Sequence, residues 1–254
     1  MHMDLLGPSQ GNNTYLTKTS QVYKTLGEDI IRGRFPPGER LIRRDLVQRF
    51  GVSLAVINEA LARLVSDGLV ESKEMYGTRV PDLTWESIRD DLMLREAIER
   101  QVARLLSKSQ DKRTLSILLE DAIVLDQHQA KRDPRNDEGM RLHLEFHLNL
   151  ARATGYASLE ETLHRLSVRH LFVVSWVSSA LHPFPPEWHQ QLVKVLMVGD
   201  SNLADEKMKE HVSYGFESDS ESLAEIRKEL GEKQKRAWET SAKPASSGDG
   251  DGSR

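Results

Sequence analysis

Nine histidines and no cysteine are present, so disulfides and thiolate chemistry are excluded and any metal site must use imidazole or carboxylate. His143 and His147 stand four residues apart, which places both on one face of a helix. His189 and His211 each lie eleven residues from Asp200. If the chain reverses at Gly199-Asp200 between two antiparallel helices, both fall at one level, ~16 Å from the turn at ~1.5 Å per residue. The two pairs then face each other across a bundle interior. Four converging imidazoles would hold a divalent transition metal, with zinc, nickel, manganese and iron as candidates. An isolated pair at this spacing is common on helix surfaces; the level-matched second pair is what favours a ligand cluster. His128, His164, His170 and His182 have no partner pattern and read as structural or surface residues.

Positioning such a cluster requires helices, and the second half of the chain supplies them. Thr84 is an N-cap with Glu86 and Ser87 in the first turn. Ile88, Leu92, Leu94, Ile98, Val102, Leu105 and Leu106 continue as one long amphipathic helix. Further helices are expected over 112–131, 137–153, 158–180, 186–198 and 203–216, with another at 221–240, punctuated by Gly155, Pro183 to Pro186 and Gly199-Asp200. The longest apolar run, near Leu171 to Leu181, is broken by Ser and too short to span a membrane. With no signal-peptide pattern at the start, a cytoplasmic protein is expected. Residues 1–17 read as a disordered leader and 241–254 as a disordered tail.

The first part of the chain has a different grammar. An apolar helical stripe (Val22, Leu26, Ile30, Ile31) leads to Pro36-Pro37-Gly38, a helix from Arg43 to Phe50, and the tight break Gly51-Val52-Ser53. A second helix runs from Leu54 to Asp67, and Gly68 to Glu71 with Tyr76 to Val80 makes a small hairpin. Two helices joined by a short Gly turn and followed by a hairpin describe a winged helix-turn-helix, which places its second helix in the DNA major groove. Between Lys18 and Val80 eleven basic residues face eight acids, whereas the whole chain is formally −4. A basic head on an acidic body fits that reading. The expected architecture is mostly α: a winged helix-turn-helix over 18–80, a linker at 81–83 and an all-helical bundle over 84–240.

Within the head, Ser53 can cap the second helix or reach a phosphate, and Asn58 can pair bidentately with adenine. Arg43, Arg44 and Arg49 are candidates for the DNA backbone, and Tyr76 and Arg79 on the wing for the minor groove or a phosphate.

The run Ile31-x-Gly33, Pro37-Gly38-Glu39-Arg40-Leu41, Asp45-Leu46, Phe50-Gly51-Val52-Ser53, Glu59-Ala60-Leu61-x-Arg63-Leu64, Gly68-Leu69-Val70-Glu71 and Gly77-x-x-Val80 resembles the GntR family of bacterial transcription regulators. Carried over, the resemblance makes Arg44, the helix start from Ser53 through Leu54 and Ala55 to Asn58, and the wing at Tyr76-Gly77 the DNA-contacting positions. The family usually has Ser-Arg-Thr-Pro-Val-Arg-Glu-Ala where this chain has Ser53-Leu54-Ala55-Val56-Ile57-Asn58-Glu59-Ala60. Both arginines of the reading face are missing. Each lost bidentate contact is worth ~1–3 kcal/mol of base discrimination, so operator preference must differ from the family pattern.

Residues 84–216 resemble the helical effector-binding domain of the FadR-type branch, called FCD. The resemblance rests on Arg95-x-x-x-Glu99, Phe146-His147, and His189 with Gly199-Asp200, Ala204 and His211. It implies a metal held by an Asp and three His; His147, His189 and His211 match, and His143 occupies the Asp position. It also implies that Arg95 lines the effector cavity, where a guanidinium matches a carboxylate bidentately; an Arg95–Glu99 ion pair along the helix is the other reading. The resemblance thus implies a homodimeric regulator, expected to be a repressor, that binds a palindromic double-stranded operator and senses a small organic acid at a metal centre. A His-rich helical metalloenzyme with a degenerate head, and a metal sensor, are the alternatives. No nucleophile with a positioned base and no phosphate-cradling or dinucleotide loop is visible, so an enzyme is not expected.

Overall fold

Thr17 Oγ1 accepts the backbone N–H of Ser20 (3.1 Å) and so starts the helix α1, Lys18–Ile31. The computed structural model describes residues 17–73, 77–131, 137–176 and 184–214, together with Lys228 and Glu232. Val22, Leu26 and Ile30 of α1 point inward at helical spacing. Helix α2 (Arg43–Phe50) ends on Gly51, whose φ of 62° is the left-handed conformation that glycine adopts without strain. Helix α3 (Leu54–Ser66) is capped by Ser53 and buries Ile57, Ala60, Leu61 and Leu64 against α1. Two side-chain bonds fix that pairing, Thr19 Oγ1 to Glu59 (3.0 Å) and the Tyr23 hydroxyl to Asp67 (2.5 Å).

Strands β1 (Glu71–Lys73) and β2 (Gly77–Arg79) pair antiparallel, Glu71 opposite Arg79 and Lys73 opposite Gly77. The chain before α2 adds to the far edge of this wing: Leu41 N–H donates to Thr78 C=O (2.8 Å) and Val80 N–H to Glu39 C=O (2.9 Å). Gly38 allows this approach. It sits at φ +82° with its N–H on Val80 C=O, and a Cβ there would lie 2.8 Å from Asp82 Oδ1.

The body comprises α4 (Trp85–Ser109), α5 (Lys112–Lys131), α6 (Asp137–Ala153), α7 (Ala157–Trp176), α8 (Trp188–Val198) and α9 (Ser201–Ser213). Thr84 and Ser87 form a reciprocal capping box at the start of α4. Helix α4 packs along α9, α5 against α6 and α8, and α6 against α7. Leu106, Leu115, Leu144, Leu148, Leu163 and Leu192 fill the space between them. The α8–α9 hairpin turns on Gly199 (φ +87°) and is capped by Asp200, which accepts from Asn202 N–H (2.8 Å) and Leu203 N–H (3.1 Å).

Boundaries differ slightly from the pattern read in the sequence. Helix α8 starts at Trp188 rather than residue 186, because Glu187 is itself left-handed (φ 55°). Helix α9 starts at Ser201, directly after its cap, rather than at 203. Residues 177–180 and the segments expected to be helical beyond Tyr214 lie outside the described residues, apart from the helical Lys228 and Glu232. The stretch 81–83 is more than a spacer, since Leu83 is buried. The head's apolar cluster also includes Ile88 of α4 and Val168, Phe172 and Val173 of α7, so head and body share one packed surface.

On the opposite side, Asp205 of α9 ties that helix to α4. Arg100 Nε donates to Asp205 Oδ1 (3.1 Å), and Arg104 lies 3.0 Å from the same carboxylate. The hydrogen bond from Arg100 holds the Asp205 carboxyl below its ordinary 3.8. A depressed carboxyl pKa stabilises the fold above the unfolded value and loses that contribution as pH falls through the folded one. Asp205→Asn should therefore lower the melting temperature at neutral pH, costing about 1 kcal/mol. The gap from the parent protein should close below about pH 4, near the ordinary carboxyl value. A gap independent of pH in thermal melts between pH 3 and 7 would refute this role.

Candidate metal centre and nucleic-acid interface

Each of the four histidines occupies a position where its helix would ordinarily carry a core aliphatic. On α6 the inward stripe is Met140, His143-Leu144, His147 and Ala151; on α8 it is His189, Leu192-Val193 and Leu196; on α9 it is Ala204, Met208 and His211-Val212. The same helical period that builds the core therefore delivers four imidazoles to one place. One nitrogen from each lies within 4.8 Å of the others, and all four rings are buried. His143 Nδ1 and His189 Nε2 are 2.8 Å apart. The ring centroids of His147 and His211 are 5.1 Å apart.

Two carboxylates orient the rings from behind. Asp126 of α5 accepts His189 Nδ1–H (2.6 Å), the backbone N–H of His189 (3.3 Å) and Gln190 (3.1 Å), and the Gln190 amide (3.0 Å). It thus supplies from another helix the N-terminal cap that left-handed Glu187 does not make. With Nδ1–H committed, His189 turns its Nε2 lone pair into the cage, where His143 Nδ1–H donates to it. Glu99 of α4 lies against His147 Nδ1 as an ion-pair contact and is held by Arg95 Nε at 2.5 Å. Carboxylate-backed histidines of this kind have a fixed tautomer and ring plane, the arrangement that metal-ligating histidines use.

Electrostatics favour neutral rings at His143, His189 and His211. Burial, and then the charge of neighbouring groups, push His143 and His211 well below the ordinary 6.5. His189 is lowered by burial against the opposing pull of Asp126. Burial opposes ionisation of Glu99, yet Arg95 and the His147 ring bring it down to about 2. Neutral imidazoles carry the lone pairs that a metal needs. His147 Nε2 and both nitrogens of His211 are buried with no hydrogen-bond partner among the described residues. Orphaned polar atoms of this kind are costly unless a ligand satisfies them. Residues and cage therefore fit a divalent transition metal.

Arg95 lies at the edge of the cage and is nearly enclosed, 5 % exposed. It joins Glu99 on one side and a small cleft lined by Ile88, Asp91, Leu92, Leu166, His170 and Val173 on the other. The ion pair read as the alternative in the sequence is present, but buried rather than solvated. Sequence reading missed Asp126, Phe184, Trp188 and the enclosure of His170. Phe184 stacks on His143 (centroids 4.8 Å, 15°) and Trp188 on His211 (5.2 Å, 15°). Asp126 directly follows the apolar stripe Leu118, Ala122 and Leu125, a faint sign of an inward acid. Nothing local linked it to a histidine 63 residues away. His128 and His164 are half-buried, and His182 lies outside the described residues.

On the head, Ser53 Oγ accepts the Val56 N–H (3.4 Å), fixing the start of α3. Leu54 is 51 % exposed and Ala55 and Asn58 are also outward, while Ile57 is wholly buried. Arg43 Nε donates to Asn58 Oδ1 (2.9 Å), which orients the amide at the outer face. Arg44 is extended into solvent, its side chain 90 % exposed and 3.6 Å from Asp45. Gly77 has φ +76° at the wing turn, and Tyr76 lies outside the described residues. Arg79 is engaged within the wing, against Glu71 and 3.2 Å from Asp82. The outward face thus consists of Arg43, Arg44, Leu54, Ala55 and Asn58. Asp29, buried on α1, holds Arg34 (2.6 Å) and Arg49, and the Arg49 side chain stays 40 % exposed.

Comparison with known proteins matches these two halves separately. Residues 18–80 match the family model described as bacterial regulatory proteins, gntR family, and residues 91–214 match the FCD domain. The HTH-type transcriptional repressor RspR of Escherichia coli is 26 % identical over 237 residues, covering 88 % of this chain and 94 % of that protein. A probable D-xylose utilization operon transcriptional repressor of Paenarthrobacter nicotinovorans is 26 % identical over 206 residues, covering 79 % and 88 %. The solved structure of E. coli McbR/YncC shares the fold, with a TM-score of 0.57, 22 % identity, and coverage of 89 % of this chain and all of that one. Among the described residues no helix is long and apolar enough to cross a membrane. These families and relatives are transcription regulators rather than enzymes, and the chain belongs with them: a GntR-family, DNA-binding transcription regulator of the FadR-type branch, with a helix-turn-helix head and an FCD body.

Proposed function

We propose that this regulator holds one divalent transition metal in its four-histidine cage, reads a small carboxylate there, and alters operator binding in response. The observation that carries the proposal is the cage itself. Four imidazoles from three helices present nitrogens within 4.8 Å of one another, with carboxylates behind His147 and His189 and orphaned nitrogens on His147 and His211. The bound metal would act as a Lewis acid toward the carboxylate, and zinc, nickel or iron suits an imidazole set best. Arg95 sits beside the cage, where it can exchange part of its pairing with Glu99 for the incoming acid. As a chromosomal repressor the protein would work in the cytoplasm as a homodimer, its two heads engaging a palindromic site ~34 Å apart.

Elemental analysis of protein prepared without chelator should find close to one transition metal per chain. His147→Ala and His211→Ala should abolish binding, and Asp126→Asn should weaken it by about 10–100-fold through loss of ring orientation. Metal-free protein whose melting temperature ignores added zinc or nickel would reject the centre.

On DNA, Arg44 and Arg43 address phosphates, Asn58 an adenine edge, and Leu54 a thymine methyl. Arg44→Ala should weaken operator and random DNA alike and reduce the salt dependence. Asn58→Ala should relax preference at one base position, at a cost of about 1–3 kcal/mol. Gel-shift titrations over a salt series check this, and equal affinity for all sequences in the parent protein would contradict a specific regulator.

Coupling between the halves is assigned to α4 and α7. Helix α4 carries Arg95 and Glu99, and its Asp91 accepts from Arg169 Nε of α7 (2.7 Å). Arg169 packs on Gly68 of the head, where a Cβ would come within 3.0 Å of its Cδ. A ligand shifts DNA affinity only through its differential affinity for the two states, so severing this link should shrink that difference. Arg169→Ala should leave metal content and DNA binding intact while reducing the effect of a bound acid on operator affinity. Calorimetric acid titrations with and without operator provide the measurement, and unchanged coupling would assign the signal to another route.

A further inference from the structure

Helices α2 and α3 meet at the outward face of the head through one polar contact. Asn58 shares that face with Leu54 and Ala55, and Arg43 is the first residue of α2; both side chains are exposed. Arg43 Nε donates to Asn58 Oδ1 at 2.9 Å. Among the described residues no carboxylate pairs with Arg43, whereas Asp29 holds Arg49, Glu59 holds Arg63 and Glu71 holds Arg79. A guanidinium has donors only, so the atom facing it is the amide oxygen, and the NH2 end of Asn58 is left without a partner among the described residues. This order matters in a major groove. Adenine presents an acceptor at N7 and a donor at N6, which an amide matches only with its nitrogen on N7 and its oxygen on N6. Guanine presents acceptors at both N7 and O6, so a fixed amide oxygen meets a second oxygen there. An unanchored amide on a helix surface turns about χ2, a broad two-fold torsion, and can offer NH2 to either purine.

We infer that Arg43 is a specificity residue acting through Asn58: its bond holds the amide in the adenine-reading order and so excludes guanine at that base pair. The inference rests on the seating of α3 in the major groove and adds the residue that fixes its base preference. The Asn58 oxygen has two lone pairs, one for Arg43 and one for the adenine N6–H. The remaining guanidinium N–H groups have no acceptor among the described residues and suit a phosphate, next to a helix start that Ile42 leaves without a side-chain cap. Phosphate, Arg43, Asn58 and adenine thus form one chain of hydrogen bonds, so backbone position and base choice are read together. Leu54, apolar and 51 % exposed, offers guanine no donor in compensation.

The test uses the full-length protein and duplex DNA that it selects from a random-sequence pool. Single-base variants of the selected duplex locate the position whose preference Asn58→Ala abolishes, and adenine should exceed guanine there on the order of tenfold in the parent protein. Arg43→Met should weaken every duplex, lower the salt slope by about one and bring the adenine-to-guanine ratio to within about twofold of unity. Arg43→Gln places a neutral N–H donor at the same bond distance from the backbone as Nε, so it should restore the ratio while the salt slope stays reduced. Arg43→Met combined with Asn58→Ala should show no further loss of ratio, the non-additivity expected of two side chains acting as one unit. Both residues are exposed, and melting curves check that the variants are folded. If selection returns no preferred sequence, the specific-regulator reading itself fails. If a sequence is preferred but Asn58→Ala changes no preference, guanine leads at the Asn58 position, or Arg43→Met weakens all duplexes and keeps the ratio, the inference is overturned. An Arg43→Gln ratio as low as that of Arg43→Met would overturn it too, by assigning the effect to charge rather than to the orienting bond.

Discussion

Four imidazoles occupy core positions of a helical bundle, and the rest of the body is arranged around satisfying them. A buried neutral histidine has one donor and one acceptor to place, and an apolar bundle offers partners for neither. Here the outer nitrogens of His147 and His189 are matched by Glu99 and Asp126, and the inner ones converge. Asp126 carries two duties, because the carboxylate that orients His189 also caps α8. Loss of that one side chain would free both the ring and the first turn of its helix. The aromatic lids Phe184 and Trp188 close the cage with flat faces that need no hydrogen bond toward the rings they cover.

Helix α4 connects this chemistry to the head. It begins at a capping box next to the wing and lends Ile88 to the head's apolar cluster. Two turns later it carries Arg95 and Glu99 to the cage, and beyond them Arg100 to the ion cluster on α9. Helix α7 completes the connection by placing Val168, Phe172 and Val173 under the head and Arg169 against Gly68. Helix α4 thus touches both the cage and the packed surface under the head.

The head shows how a familiar scaffold can change its reading surface without changing its core. Ile57, Ala60, Leu61 and Leu64 keep α3 seated, and Ser53 keeps its start fixed. The outward positions instead present Leu54, Ala55 and Asn58, with the amide oriented by Arg43 from the preceding helix. Arg44 is the most open guanidinium of this face, whereas Arg79 pairs with Glu71 and Arg49, 40 % exposed, pairs with Asp29. Such a surface offers apolar side chains and one amide in place of paired guanidinium groups.

Much of this was legible in the residues. Helical period, Gly and Pro punctuation and the caps at Ser53 and Thr84 locate the elements, because each is a local property of a short segment. The i, i+4 pair and the equal spacing about Asp200 bring four histidines together for the same reason, as period and turn fix level and face. Sequence could not supply Asp126 behind His189, the burial of the Arg95–Glu99 pair, or the shared packing of α7 with the head. Each of these joins residues far apart in the chain, and nothing within one segment distinguishes an acid that caps a neighbouring helix from one that faces solvent. The ion-pair partners of Arg79 and Arg49 are likewise tertiary, Glu71 and Asp82 for one and Asp29 for the other. Local periodicity determined which side chains turn inward; only the packing of helices decided what each of them meets there.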